Sequence, residues 1–354
     1  MSTEEFYNTI VIGGGQAGLA AGYFLAQQGQ NFAILDGESR IGTVWRQRWD
    51  SLRLFTPAQF NGLPGMPFPG GDNYFPSKDE AADYLESYAL KFHLPIRPDT
   101  KIDRLERDGD SYRLSSTAQS FKAKNVIVAT GAYQSPQYPT FAAQLDPAIC
   151  QLHSFAYRNP DQVPAGRVLV VGAGNSGAEI GLELRKAGRE VWLSGRDVGH
   201  IPANQLGKYF GGRPYWWLIS HVLSIDTPVG RKMQAQVRQH GNPLIRSNRK
   251  DVLNAGIQVA PRLAGVQAGK PHLQDGRTLD VEAVVWSTGF RPDYQWIKLP
   301  IFNGNGVPHH ERGVVPGAKG LYFVGLHFQT ALTSALMGGV GKDAEYITRF
   351  MRNS

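Results

Sequence analysis

Three features of this 354-residue sequence predict an α/β protein of two doubly wound parallel-sheet units, the second inserted in the first. A G-x-G-x-x-G fingerprint occurs twice, as Gly13-Gly14-Gly15-Gln16-Ala17-Gly18 and as Gly172-Ala173-Gly174-Asn175-Ser176-Gly177. Each stands between a short β-branched apolar run and a helical pattern. Each is followed, at nearly the same interval, by an apolar run closing in Thr-Gly, at Val126 to Gly131 and at Val284 to Gly289. The repetition reads as a duplicated Rossmann-type nucleotide unit rather than a solenoid.

The first run, Thr9 to Ile12, has the composition of a parallel strand buried on both faces. A helix from about Gln16 to Gln28 follows, with Ala17, Ala21, Phe24 and Leu25 on one face and Gly29 as its stop. A strand at Phe32 to Leu35 then ends in Asp36, about twenty residues after the first glycine. The Gly- and Pro-dense stretch from Leu63 to Pro76 reads as a loop, and Lys78 to Phe92 as an amphipathic helix. Pro136 to Pro164 reads as a connector. The second unit repeats the order: strand at Val168 to Val171, helix from Asn175 to Ala187, strand at Val191 to Leu193. Leu321 to Val324 is a further buried strand, with a helix expected from about Thr333. These readings divide the chain into one domain of residues 1–135 and 290–354 and another of residues 136–289.

Composition narrows the function classes. The chain is 42% hydrophobic with a formal net charge of +7 and a single cysteine, Cys150. One cysteine forms no internal disulfide and no Cys-x-x-Cys redox pair. A basic surface suits polyphosphate cofactors or acidic substrates, and no nucleic-acid motif accompanies it. The acidic N-terminus is unlike a signal peptide. The most apolar stretch, Tyr215 to Ile225, is too short for a membrane span, so a cytoplasmic protein is expected. Cys150 and His153 have metal-like spacing but no second pair, and no metal site is assigned.

The fingerprint glycines have separate roles. Gly13 and Gly172 permit the turn out of the strand, Gly15 and Gly174 leave room for a pyrophosphate, and Gly18 and Gly177 allow close helix–strand packing. Gln16, Asn175 and Ser176 open helices whose unpaired N–H groups face the phosphates. Asp36 is suited to both hydroxyls of an adenosine ribose. The second unit has Ser194-Gly195-Arg196 at the matching place, and a hydroxyl and a guanidinium suit a 2′-phosphate where a carboxylate would repel it. FAD is therefore expected at the first site and NADPH at the second, with NADH as the alternative.

At this point the chain resembles the flavin-containing monooxygenases, closest to the short bacterial branch of CzcO-type flavoproteins and to the plant YUCCA-type enzymes. The resemblance is carried by both fingerprints, both Thr-Gly strands, Ile41-Gly42-Thr43-Val44-Trp45-Arg46, the run from Arg48 to Pro57, and the tail Gly320 to Leu326. It implies that Gly42, Val44, Trp45 and Thr56 contact FAD. It implies that Ile102 meets the adenine, and that Thr130 and Gly131 form the turn beside FAD. It puts Thr288 and Gly289 where the domains meet, and Gln329 and Leu332 where the last helix aims its N-terminus at the flavin pyrimidine ring. Only His153-Ser154-Phe155-Ala156-Tyr157 matches the second half of the family's F-x-G-x-x-x-H-x-x-x-[F/Y] signature, since Pro147 and Ile149 replace its Phe and Gly. Phe55 stands where many members have a flavin-facing Asn, which makes peroxide release an expected side reaction.

The activity the resemblance implies is an FAD-dependent, NAD(P)H-driven monooxygenation through a C4a-hydroperoxyflavin, acting with O₂ on a small molecule bearing a soft heteroatom or a carbonyl. The cofactor supplies the chemistry and the protein supplies orientation, dryness and charge, so no catalytic side chain is assigned beyond the flavin-facing Phe55. A flavin reductase serving a quinone or a protein and a non-catalytic redox sensor share both fingerprints. No nucleic-acid or membrane partner is expected, and relatives of this kind are often homodimers.

Overall fold

The computed structural model describes residues 5–200, 212–240, 243–304 and 306–354, the side chains of 236–240 excepted. Strand β1 (Glu5–Ile12) is half-exposed at its start and wholly buried from Thr9, where it enters the middle of a parallel sheet. Helix α1 (Gln16–Gln27) follows, and strand β2 (Phe32–Leu35) pairs parallel to β1. The short helix α2 (Thr43–Arg46) and helix α3 (Lys78–Lys91) come next, α3 starting with a capping box between Ser77 and Glu80. Strand β3 (Ile96–Arg97) lies beyond β2.

The antiparallel strands β4 (Arg104–Asp108) and β5 (Ser111–Ser115) lead into the long strand β6 (Ser120–Val128), which pairs parallel with β1. Two-residue strands β7 (Ser135–Pro136) and β15 (Phe290–Arg291) pair antiparallel where the chain leaves the first sheet and where it returns. Between them lies a second, wholly parallel sheet: β8 (Cys150–His153), β9 (Arg167–Val171), β10 (Glu190–Ser194), β11 (Gln258–Ala260) and β14 (Ala283–Trp286), in the order β11-β10-β9-β14-β8. Helix α4 (Asn175–Lys186) joins β9 to β10. Helices α5 (Arg213–Trp217), α6 (Pro228–His240) and α7 (Arg249–Asn254) lie between β10 and β11, and the hairpin of β12 (Leu263–Gln267) and β13 (Lys270–Leu273) follows. Strand β16 (Leu321–Phe323) then rejoins the first sheet beside β6, and helix α8 (Val340–Arg352) packs on α1. The fold is therefore two Rossmann-type units, the second sheet formed within an interruption of the first.

Three expectations need correction. The last helix starts at Val340, not near Thr333. A Cβ on Gly338 would lie 1.7 Å from the Phe60 carbonyl oxygen, so residues 333–339 form turns pressed on the 58–62 loop. The stretch from Pro136 to Pro164 is more than a connector, because it supplies edge strand β8. The first sheet also gains the antiparallel β4–β5 extension, which the apolar pattern did not reveal. Among the described residues no helix is long and apolar enough to cross a membrane.

Candidate functional site

The two fingerprints adopt one geometry. Gly13 has φ +107° and Gly172 φ +108°, values in the left-handed region that favour glycine. The Gly13 amide donates to the Leu35 carbonyl at 2.8 Å, and the Gly172 amide to the Ser194 carbonyl at 2.7 Å. A Cβ on Gly18 would sit 1.8 Å from the Gly13 carbonyl oxygen, and one on Gly177 1.8 Å from that of Gly172. A Cβ on Gly15 or Gly174 would meet nothing within 4 Å. Both central glycines thus cap helices α1 and α4 and face open space, which is what a phosphate cradle requires.

The strand ends differ. Asp36 accepts hydrogen bonds from the Gly14 amide and, at 2.7 Å, from the Glu38 amide, one on each carboxylate oxygen. The remaining lone pairs stay available to a ribose. At the second site Ser194 is fully buried and its hydroxyl donates to the Pro261 carbonyl at 2.7 Å. It therefore anchors a strand end and does not present its hydroxyl to a phosphate, contrary to the sequence-based expectation. Arg196 is exposed. Its neighbour Asp197 pairs with Arg249 at 3.1 Å, which holds the Asp197 carboxyl below its usual range, the Gly199 amide contributing most and Arg249 next.

Around the first cradle, Gly42 is left-handed (φ +83°), and a Cβ there would in addition strike Ala82 at 2.8 Å. It caps α2, which leaves Val44 exposed and Trp45 half-buried. Phe55 is half-buried, and Thr56 donates to the buried side chain of Asn61, which returns a bond to the Thr56 carbonyl at 2.8 Å. Ile102 is buried beyond β3. The Gln134 side chain donates to the Thr130 hydroxyl and the Gly131 carbonyl, each at 2.7 Å. Thr288 donates to the Gln137 carbonyl, and the Gln137 amide returns a 3.0 Å bond to Gly289. Both Thr-Gly turns therefore flank the β7–β15 ribbon. Gln16 lies on the first turn of α1, its amide 3.5 Å from the Ala335 carbonyl. Asn175 is tied through its side chain to the Pro243 carbonyl and the Ile245 amide, both at 3.0 Å, with half-buried Ser176 next to it.

Gln329 and Leu332 depart from expectation. They lie in turns ahead of α8, so no helix dipole runs through them. The Gln329 side chain is buried and donates to the Arg312 and Phe323 carbonyls at 3.1 and 3.0 Å. The Leu332 amide donates to Leu223 at 3.0 Å, and the Ile225 amide to Thr330 at 2.8 Å. A strap from the second unit thus pairs with this turn, supported by stacking of Trp216 on Phe60 at 4.9 Å.

Two buried groups gained no role from sequence reasoning, which met Tyr157 only as the end of the half-matched signature and passed over Asp343. Tyr157, buried, donates to Glu183 of α4 at 2.7 Å, which ties the segment after β8 to the second cradle. Asp343, also buried, accepts from Thr330, while Ser334 receives the Thr330 and Ala331 amides at 3.0 Å. Burial pushes the Asp343 carboxyl up to about 6 against the opposing bonds from Ser334 and Thr330. A carboxyl raised in the folded state stabilises while protonated, and that stability is lost as pH rises through the folded pKa. Urea unfolding of Asp343→Asn and the parent at pH 4 and pH 7 should therefore show the parent losing roughly 2–3 kcal/mol relative to the variant over that interval. Equal curves at both pH values would contradict it.

A cavity of about 430 Å³ lined by Arg167, Glu190, Trp192 and Arg277 opens near the starts of β9 and β10, the opposite end of the second sheet from the fingerprint. Among the described residues no group of three His, Cys, Asp or Glu could hold a metal.

The family profile described as pyridine nucleotide-disulphide oxidoreductase matches residues 10–205. An uncharacterized CzcO-like oxidoreductase of Geobacillus kaustophilus is 41% identical, covering 99% of this chain and 99% of its own length. A probable indole-3-pyruvate monooxygenase, YUCCA9, of Arabidopsis thaliana is 26% identical over 100% of this chain and 93% of its own. Among solved structures, a flavin-containing monooxygenase from Stenotrophomonas maltophilia superposes with a TM-score of 0.80 at 26% identity, covering 99% of both chains.

Proposed function

The chain belongs to the pyridine nucleotide-disulphide oxidoreductase family and to its flavin monooxygenase-like oxidoreductases, and from that premise we propose an FAD-dependent, NAD(P)H-driven monooxygenase of a small organic substrate. The observation that carries the reading is the pair of open glycine cradles at Gly15 and Gly174, each at the C-terminal end of a central parallel strand. In doubly wound sheets that end binds ligands. FAD would be held by residues 1–135 and 290–354, with Gly13, Gly15 and Gly18 cradling the pyrophosphate and Asp36 the ribose. The nicotinamide coenzyme would be held by residues 136–289, through Gly172, Gly174, Gly177 and Arg196. The flavin, when bound, supplies hydride acceptance and oxygen activation. The chain's own work is to orient the two coenzymes, to bury their reacting ends and to fix the Thr-Gly turns on the ribbon between the sheets.

The test is anaerobic reduction by NADPH followed by mixing with O₂. Reoxidation in two resolved phases, the slower prolonged by NADP⁺, supports an oxygenase. Single-phase reoxidation with one peroxide per flavin and rapid quinone reduction would make the protein a reductase, an outcome that Phe55 at the flavin-facing position would favour. No reduction by NADPH would leave a sensor. Arg196 is tested separately. Arg196→Ala should lower the NADPH-to-NADH ratio of kcat/KM roughly 10- to 100-fold, the scale of a lost charge-assisted bond. An unchanged ratio would remove Arg196 from the 2′-phosphate site.

A further inference from the structure

We propose that Arg48 is the docking group for a carboxylate, so that the substrate is an organic acid seated in the cleft between the two sheets; this rests on the oxygenase reading above. Arg48 follows α2 and so belongs to the loops at the C-terminal end of the first sheet. Its guanidinium lies over the rings of Phe155 and Phe290, 5.4 and 5.5 Å from their centroids. Phe155 follows β8 and Phe290 follows the Thr288-Gly289 turn, both at the C-terminal end of the second sheet. Tyr133, two residues after Gly131, meets Phe290 edge-on at 5.5 Å. One cation from the first sheet's loops thus rests against a T-shaped pair of rings at the end of the second.

That cation has no protein counter-ion among the described residues: Arg48 forms no ion pair and donates no hydrogen bond there. Arg46, two residues earlier, has Asp83 at 2.8 Å and Glu86 at 3.1 Å. Asp50, the acid nearest Arg48 in sequence, is occupied by Asn159 at 2.8 Å. The charged neighbour is another cation, Arg158, whose guanidinium donates to the Phe155 and Tyr157 carbonyls. Burial lowers the Arg48 pKa, yet an arginine stays charged.

Leaving a partly desolvated charge without a partner is costly. The two rings lie on one side of the guanidinium, their centroids 6.0 Å apart and their planes at 75°, and the N–H fork on its open side matches a carboxylate in bidentate fashion. A coenzyme phosphate is the other anion of the same chemistry, so the experiment separates the two.

Phenylacetate, phenylacetamide and NADP⁺ are each titrated calorimetrically into the flavin-loaded parent, Arg48→Met and Arg48→Lys. Phenylacetate should bind the parent at least about tenfold more tightly than phenylacetamide. Arg48→Met should remove that preference, Arg48→Lys should restore part of it, and NADP⁺ affinity should change by less than about twofold. Should Arg48→Met not fold, Arg48→Lys must still weaken phenylacetate several-fold through loss of the fork. Weakened NADP⁺ with unchanged phenylacetate would overturn the proposal in favour of a coenzyme phosphate. Equal binding of acid and amide by the parent would also overturn it, as would a variant altered only in melting temperature. Failure of the oxygenase reading itself appears elsewhere, as a parent protein that retains no flavin or is not reduced by NADPH.

Discussion

Gly18→Ala should cost more than about 3 kcal/mol of unfolding free energy, and the purified variant should be colourless. The added methyl would lie 1.8 Å from the Gly13 carbonyl oxygen and 3.3 Å from Val11. The first is a backbone atom of the turn and the second belongs to the fully buried Val11 of β1, so neither can swing aside as a surface side chain would. Helix α1 must then move off β1, and it also packs on α8. Overpacking of this kind typically costs 1–3 kcal/mol, and more where backbone must shift. Gly177→Ala repeats the clash with Gly172 in the second unit and should cost a similar amount. Urea unfolding measures both. A variant as stable as the parent would mean that α1 does not pack on β1 through this glycine.

Gly15→Val and Gly174→Val should do the reverse, leaving the fold intact and emptying one cradle each. Each glycine has an extended-region backbone (φ −75° and −78°) that any L-residue adopts. Neither would bring a Cβ within 4 Å of another group, so the stability of the ligand-free protein should fall by only about 1 kcal/mol, the cost of a poorer helix N-cap. The new side chain occupies the space a pyrophosphate would need. Gly15→Val should retain under a tenth of the parent's flavin after gel filtration, while still binding the nicotinamide coenzyme. Gly174→Val should keep its flavin and lose reduction by NADPH at least about 100-fold. If both variants lose flavin equally, the assignment of one coenzyme to each unit fails.

The elements around the two cradles were legible because their signals are local. Thr9 to Ile12 and Val168 to Val171 are buried parallel strands whose apolar runs carry no alternation, and the glycine spacing fixes the turn that follows. The edge strand β8, Cys-Gln-Leu-His, carries no such run and shows itself only through pairing with β14. The helix expected near Thr333 failed because Gly338 must fit against Phe60 and Asn61, far earlier in the chain. Ser194 was misread for the same reason, its partner Pro261 lying far along the sequence. Arg48 stood in sequence only as the first residue of a run shared with the family, and no role followed, since its meaning depends on Phe155 and Phe290, which only the fold brings to it.

The strap running from Leu223 to Ile225 bears on how the two halves could be recombined with those of relatives. A chimera that exchanged only residues 136–289 would import a foreign strap while keeping the native 330–332 turn. The Leu332 and Ile225 amides would then each depend on a mismatched acceptor. A graft carrying its own receiving turn along with the insert would keep both bonds, so the exchangeable module comprises two separate stretches of chain rather than one.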